Sequence, residues 1–226
     1  MIGLIAAMSI EMENLCALAS VREERCVSGI RFVTAVLDGK DVVLAVCGEG
    51  KVNAAMCAEA MILLYHPTLI INTGVAGGLS PTLRVPDVAI ATSVVEHDYD
   101  ISPLGYAPGE VLFPGGSATS FATDAKATAA MRTAAEAEGV HAECGPILSG
   151  DQFIADVAVK ERLIALFHGI ACEMEGGSIG HVCYLNKTPF AVLRAISDTA
   201  DDGEKFDPVR SSDISIRLTR RMLSFL

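Results

Sequence analysis

Short apolar runs, each ending in a polar or glycine-rich patch, set the rhythm of this chain. Residues 2–8 form the first such run and predict a buried strand. Ser9 is placed to cap a helix to about Ala19, with Glu11 in its first turn, where an acid complements the helix dipole. Residues 31–37 and 42–46 are rich in β-formers around Asp38-Gly39, a hairpin signal. An apolar helix over residues 54–65 is closed by His66-Pro67. Residues 69–71 predict a buried strand, and the glycine-rich residues 72–79 read as a loop after it. Another strand over residues 85–95 runs into the polar patch 97–100. Residues 102–117 form a long Pro/Gly-rich segment, too apolar in Leu104, Tyr106, Val111, Leu112 and Phe113 for a free loop. An Ala-rich helix (124–138) stopped by Gly139 precedes a strand at 144–148. Asp156 caps a helix to about Phe167. A short apolar strand then ends in Cys172-Glu173-Met174-Glu175-Gly176-Gly177, followed by a helix to about Leu185. The last strand, 189–196, ends in Ser197-Asp198. Residues 199–206 read as a mobile acidic loop, and Pro208 precedes a final helix to Leu226. Alternating strands and helices, with antiparallel pairing early, predict a mixed-sheet α/β fold with helices on both faces.

Composition narrows the function classes. Half the residues are apolar, aromatics are few and tryptophan is absent, which suits a core of Ala, Val, Ile and Leu. No linker or low-complexity tract breaks the chain, so residues 1–226 are expected to form a single domain. The net charge of −11 excludes a broad nucleic-acid surface, which needs clustered Lys and Arg. No apolar run approaches the ~20 residues of a membrane span. The first residues lack a basic start, so no signal peptide is expected and the protein is placed in the cytoplasm. The cysteines are odd in number and show no C-x-x-C, so reduced cysteines acting as core hydrophobes are expected. The histidines show no zinc spacing, and neither metal nor cofactor is expected.

The chemistry is expected at the strand ends. Glu173 and Glu175 would share a side of a regular strand. Carboxylates are rarely buried unless paired or used. The plainer alternative is that both reach solvent at the strand tip. Gly48-Glu49-Gly50-Lys51-Val52-Asn53 imitates a dinucleotide fingerprint, but Asn53 replaces the last glycine and no acid follows at the ~20-residue offset. It reads as a tight strand-to-helix turn. Arg194 and Asp198 would lie on one side of their strand, ~13 Å apart. Right-handed crossovers bring successive strand ends to one sheet edge. One pocket is therefore expected from Glu11, the segment after Ile71, residues 151–154, Glu173 to Glu175, and Arg194 to Asp198. Without metal spacing or a G-x-S-x-G elbow, several carboxylates point to acid–base chemistry or oxocarbenium stabilisation, and splitting a glycosidic bond uses both.

Six motifs in order carry a resemblance over nearly the whole chain. They are Ala7-Met8-x-x-Glu11, Gly50-Lys51-Val52-Asn53-Ala54-Ala55, Asn72-Thr73-Gly74-x-Ala76-Gly77-Gly78-Leu79, Ser149-Gly150-Asp151-x-Phe153-Ile154, Glu173-Met174-Glu175 and Arg194-Ala195-Ile196-Ser197-Asp198. Together they resemble the 5′-methylthioadenosine/S-adenosylhomocysteine nucleosidases of the nucleoside phosphorylase superfamily. The resemblance implies a three-layer α/β/α fold with a central mixed sheet. It implies hydrolysis of the N-glycosidic bond, releasing adenine and a 5-thioribose product in methionine salvage. Glu11 would activate water, and Asp198, helped by Ser197, would be the acid at adenine N7. Glu175 would bind the ribose hydroxyls with Met174 against the sugar, and Arg194 would anchor the polar network. Phe153 would stack on the purine and the Ile154 backbone would read its edge. Met8, Val75, Gly77 and Phe206 would complete the substrate pocket. The partner is a small adenine nucleoside, with no nucleic acid and no membrane. The family forms homodimers, and residues 102–113 are the candidate loop for a neighbour's 5′ pocket. Val75 stands where many relatives carry Ser, and Leu104 where an aromatic is frequent, so the 5′-substituent stays open. Alternatives are a purine nucleoside phosphorylase, a nucleosidase preferring 6-amino-6-deoxyfutalosine or 5′-deoxyadenosine, and, last, a non-catalytic nucleoside-binding protein.

Overall fold

The computed structural model describes residues 1–201, 206 and 208–226. In chain order the first half contains β1 (Ile2–Ala6), α1 (Ser9–Leu18), β2 (Ser20–Val27), β3 (Ile30–Leu37), β4 (Lys40–Val46), α2 (Lys51–Tyr65), β5 (Leu69–Gly78) and β6 (Val88–Glu96). The short strands β7 (Val111–Phe113), β8 (Gly116–Ala118) and β9 (Phe121–Ala122) follow, then α3 (Ala125–Ala137) and β10 (Ala142–Ser149). The chain closes with α4 (Val157–Phe167), β11 (Ala171–Glu173), α5 (Gly176–Asn186), β12 (Phe190–Asp198) and α6 (Pro208–Leu223).

The central sheet runs β11-β10-β6-β12-β5-β1-β4-β3-β2, with β9 beside β6. It is mixed: β12 is parallel to β5 and antiparallel to β6. One further pairing shapes the site. β11 lies parallel to β10 and antiparallel to the end of β5. Strands β5, β11, β10, β6 and β12 thereby close into a ring. Gly77 of β5 is opposite both Cys172 of β11 and Asp198 of β12. Two polar strand ends far apart in the chain are thus brought against one glycine.

Helices cover both faces. Ala54, Cys57, Ala58 and Met61 of α2 pack with Ile179 and Cys183 of α5 in one buried cluster. Met12 and Leu15 of α1, Ala127 to Ala135 of α3, and Leu218 and Met222 of α6 fill the other. Each fully buried Leu, Ile or Met side chain contributes ~1.5–3 kcal/mol, so these two clusters hold the three layers together. Asp124 and Asp156 cap α3 and α4, each carboxylate accepting the backbone N–H three residues on.

Several expectations need correction. The segment 72–78 is not a loop: β5 continues through it, because its glycines let neighbouring strands pair on both sides. Ser9 is not the cap of α1; Met8 is, and Glu11 folds back onto the entering backbone. The first strand stops at Ala6, and β6 starts at Val88, after a turn in which Asp87 N–H bonds to the Arg84 carbonyl. The final helix ends at Leu223. Strand β2 was not foreseen, since its sequence is polar and exposed and it sits at the sheet edge. Glu173 and Glu175 do not share a strand face: β11 ends at Glu173, and Glu175 is the N-cap of α5. Cys26 and Cys144 are exposed and Cys16 is half-buried, so only Cys47, Cys57, Cys172 and Cys183 are buried thiols. The long segment 102–117 carries a short 3-10 turn and the β7–β8 hairpin. The loop expected over 199–206 lies partly outside the described residues, and its start, 199–201, is tied by hydrogen bonds.

Candidate functional site

A cleft opens at the strand ends where the ring closes. Met8, Glu11, Val75, Gly77, Phe153, Ile154, Met174, Glu175, Ser197, Asp198 and Phe206 all line it. These are the expected site residues save Arg194, which is buried behind the wall at 1 % exposure. Asp151 stays outside; its carboxylate accepts the Lys51 N–H. None of residues 102–113 of this chain reaches the cleft.

Glu11 sits on the first turn of α1 but does more than complement its dipole. One carboxylate oxygen accepts the N–H groups of Ala7 (3.1 Å) and Met8 (2.9 Å), and the other accepts that of Val75 (3.1 Å). Three backbone donors from two elements fix its orientation. Burial pushes its carboxyl above the usual value, against the opposing charge of Arg194 and those three N–H groups.

Arg194 is the cation behind this wall. Its Nη2 donates to Asn72 Oδ1 (2.5 Å) and to Glu173, and lies 3.5 Å from Glu175 Oε2. Glu173 also accepts the Ser149 hydroxyl and the N–H groups of Glu175 and Gly176. Burial raises Glu173, but Arg194 and these donors outweigh it and hold the carboxyl below its usual range. Glu175 is the reverse case. Burial, then the neighbouring Glu173 charge, push it up to about 7, although Gly50 N–H donates to it at 2.9 Å. A single guanidinium thus serves two acids unequally, as expected where like charges share a dry site.

Asp198 ends β12 just after a register shift between Ile196 and Asp198. That shift breaks the alternation assumed in placing Arg194 and Asp198 on one side. One Asp198 oxygen accepts the Ala200 N–H (2.8 Å) and the other the Ser197 hydroxyl (2.9 Å). A Cβ on Gly77 would stand 2.9 Å from Asp198 Oδ1, so glycine is required there. At the mouth Phe153, 61 % exposed, meets Phe206 edge-on at 5.6 Å.

Sequence reasoning placed Asn72 and Glu173 in the pocket without a contact for either: Asn72 fixes the guanidinium and Glu173 takes its charge. It missed the part played by Gly50, read as part of a turn, whose N–H holds Glu175. The signal there was glycine at the mouth of a helix, where Gly50 adopts φ +95°. The cleft can hold one flat apolar group beside Phe153 and one polyhydroxylated group among the carboxylates. Its described lining contains no Lys or Arg. Among the described residues, no cluster of three or more His, Cys, Asp or Glu could hold a metal.

Comparison with known proteins places this arrangement. The phosphorylase superfamily model matches residues 1–222. A 5′-methylthioadenosine/S-adenosylhomocysteine nucleosidase of Geobacillus thermodenitrificans is 41% identical over 201 residues, 88% of this chain and 84% of that protein. The crystal structure of the Neisseria meningitidis nucleosidase of the same name, in complex with methylthio-immucillin-A, superposes with a TM-score of 0.92 at 33% identity, covering 100% of this chain and 99% of that one. A futalosine hydrolase of Helicobacter pylori superposes with a TM-score of 0.92 at 30% identity, covering 100% and 97%.

Proposed function

The chain belongs to the 5′-methylthioadenosine/S-adenosylhomocysteine nucleosidases of the phosphorylase superfamily, and from that premise we propose that it splits the N-glycosidic bond of these two nucleosides with water. The observation that carries the reading is one cleft lined by Glu11, Glu175 and Asp198 and, among the described residues, by no cationic side chain. Asp198 gives its proton to adenine N7. The electrons of the C1′–N9 bond pass to the purine, and a ribosyl oxocarbenium forms among carboxylates that stabilise it. The donors on Asp198, Ala200 N–H and the Ser197 hydroxyl, stabilise the carboxylate left behind. Glu11 orients a water and takes its proton as the oxygen adds to C1′. Its carboxyl, raised by burial, is a stronger base than a solvent-exposed one. Glu175 accepts from the ribose hydroxyls, Met174 packs on the sugar, and Phe153 stacks on the base. The products are adenine and the 5-thioribose.

Phosphorolysis is disfavoured by the same lining. A phosphate dianion would face Glu11 with no Lys or Arg among the described lining residues, and Arg194 behind them is engaged by Glu173. Adenine release from 5′-methylthioadenosine is therefore expected at full rate in phosphate-free buffer; a strict phosphate requirement would overturn the hydrolase reading. Glu11→Gln and Asp198→Asn should each cut turnover by ~10²–10⁴-fold while thermal melting stays cooperative.

A second reading concerns only the 5′ group. Likeness to a futalosine hydrolase supports 6-amino-6-deoxyfutalosine as a further substrate, and a panel of 5′-substituted adenosines would rank the two. The protein works as a homodimer in this proposal. Val52 (78 % exposed) and Leu63 (60 %) on α2, and Tyr184 and Leu185 on α5, are exposed apolar residues on two helices that pack against each other. Leu104 of the 102–113 segment, 75 % exposed, is offered to a neighbour. All cysteines are unpaired, which supports a reducing cytoplasm; release of a 5-thioribose product fits a place in methionine salvage.

A further inference from the structure

Lys160 lies outside the cleft lining, yet it is tied to the segment that follows Asp198. It stands on the first turn of α4, four residues after the Asp156 cap. Its ammonium donates to the Thr199 carbonyl oxygen at 2.5 Å and to Asp201 Oδ2 at 2.8 Å. The other Asp201 oxygen accepts the Thr199 hydroxyl at 2.6 Å, so the tie is a closed loop of polar contacts.

Between the two anchors stands Ala200. Its φ of +54° is the left-handed conformation that a residue with a Cβ rarely adopts. Such a conformation persists only where the surroundings over-determine it. Here Lys160 fixes the residue on either side, and Ala200 itself is buried with Leu163 of α4 and Cys172 of β11. The Thr199 carbonyl that Lys160 holds and the Ala200 N–H belong to one planar peptide unit. That plane aims the N–H at Asp198 Oδ1, 2.8 Å away. With the Ser197 hydroxyl on the other oxygen, the carboxyl group is held from both ends.

We propose that Lys160 is a positioning residue for proton donation, fixing through Ala200 the plane in which Asp198 meets the leaving purine. The inference rests on Asp198 being the acid, as set out above. An ordinary half-buried ion pair would affect folding alone and slow every substrate equally.

The test uses full-length Lys160→Met, Lys160→Arg and Asp198→Asn proteins with two substrates. One is 5′-methylthioadenosine, whose purine needs a proton to leave. The other is the 4-nitrophenyl glycoside of 5-methylthioribose, whose phenolate leaves without one. Lys160→Met should lower kcat for adenine release by ~10–100-fold, the scale of a small misplacement. Its KM should stay within about twofold and nitrophenolate release near the wild-type rate. Lys160→Arg, which can reach the same acceptors, should recover most of the loss. Wild-type kcat in Lys160→Met, or an equal fall on both substrates, would overturn the role of Lys160. Asp198→Asn, run alongside, separates the two layers. Selective loss of adenine release upholds Asp198 as the acid whatever Lys160 does, whereas wild-type adenine release removes the premise.

Discussion

Arg194, Glu173 and Glu175 show how one cation divides itself between two acids. Glu173 has the closer contact and several N–H donors, so its carboxyl is held low; Glu175 is 3.5 Å from the guanidinium and is raised to about 7. The consequence for stability has a definite sign. Below the unfolded value of 4.5 Glu175 is protonated in both states. Between 4.5 and about 7 the unfolded chain has lost a proton that the folded chain keeps, so this group's contribution falls as pH rises. Above about 7 both states are ionised and the slope vanishes. Thermal melts of wild type and Glu175→Gln should therefore diverge in favour of the variant from pH 4.5 to about 7 and run parallel above it. A constant difference across that window would show that Glu175 keeps an ordinary carboxyl.

Strand β5 is the element on which the site turns. It crosses the cleft behind the carboxylates and pairs with β1, β12 and β11. That needs glycine where side chains from both flanks converge. At Gly74 an added Cβ would stand 2.5 Å from Glu11 Oε1 and 2.6 Å from Arg194 Nη1, at a φ of +153°. Neither neighbour is the free end of a flexible chain, since both are locked by hydrogen bonds. Gly74→Ala is expected to lower kcat/KM by at least ~10²-fold through displacement of Glu11. Adenine release alongside circular dichroism would check it, and an active, folded variant would mean that Glu11 tolerates the shift.

At the scale of the whole molecule, the exposed apolar residues of α2 and α5 are the feature left to account for. Single exposed apolar residues are ordinary, whereas several on one pair of packed helices fit the proposed subunit contact. On the homodimer proposed above, Leu63→Glu should sediment as a monomer where the wild type sediments as a dimer, and should lower kcat/KM, because residues 102–113 would then not reach a neighbour's cleft. A variant that sediments as the wild type does would place the interface elsewhere.

The amino-acid sequence by itself determined what depends on near neighbours. Apolar runs set most strands and helices, Asp124 and Asp156 marked their helices, and Asp38-Gly39 marked the hairpin. The motif residues of the cleft were legible because their order and spacing are specific. Polar β2 was not legible, because an exposed edge strand lacks an apolar pattern. Nor was the glycine stretch of β5, because glycine carries no strand propensity and extends only when partners flank it. What fixes the Arg194 guanidinium, and which backbone N–H holds Glu175, were decided by contacts between residues more than a hundred positions apart, as in Arg194 to Asn72 and Gly50 to Glu175. Such contacts exist only once the five strands have closed, since burial and charge are properties of that enclosure and of no single stretch of chain.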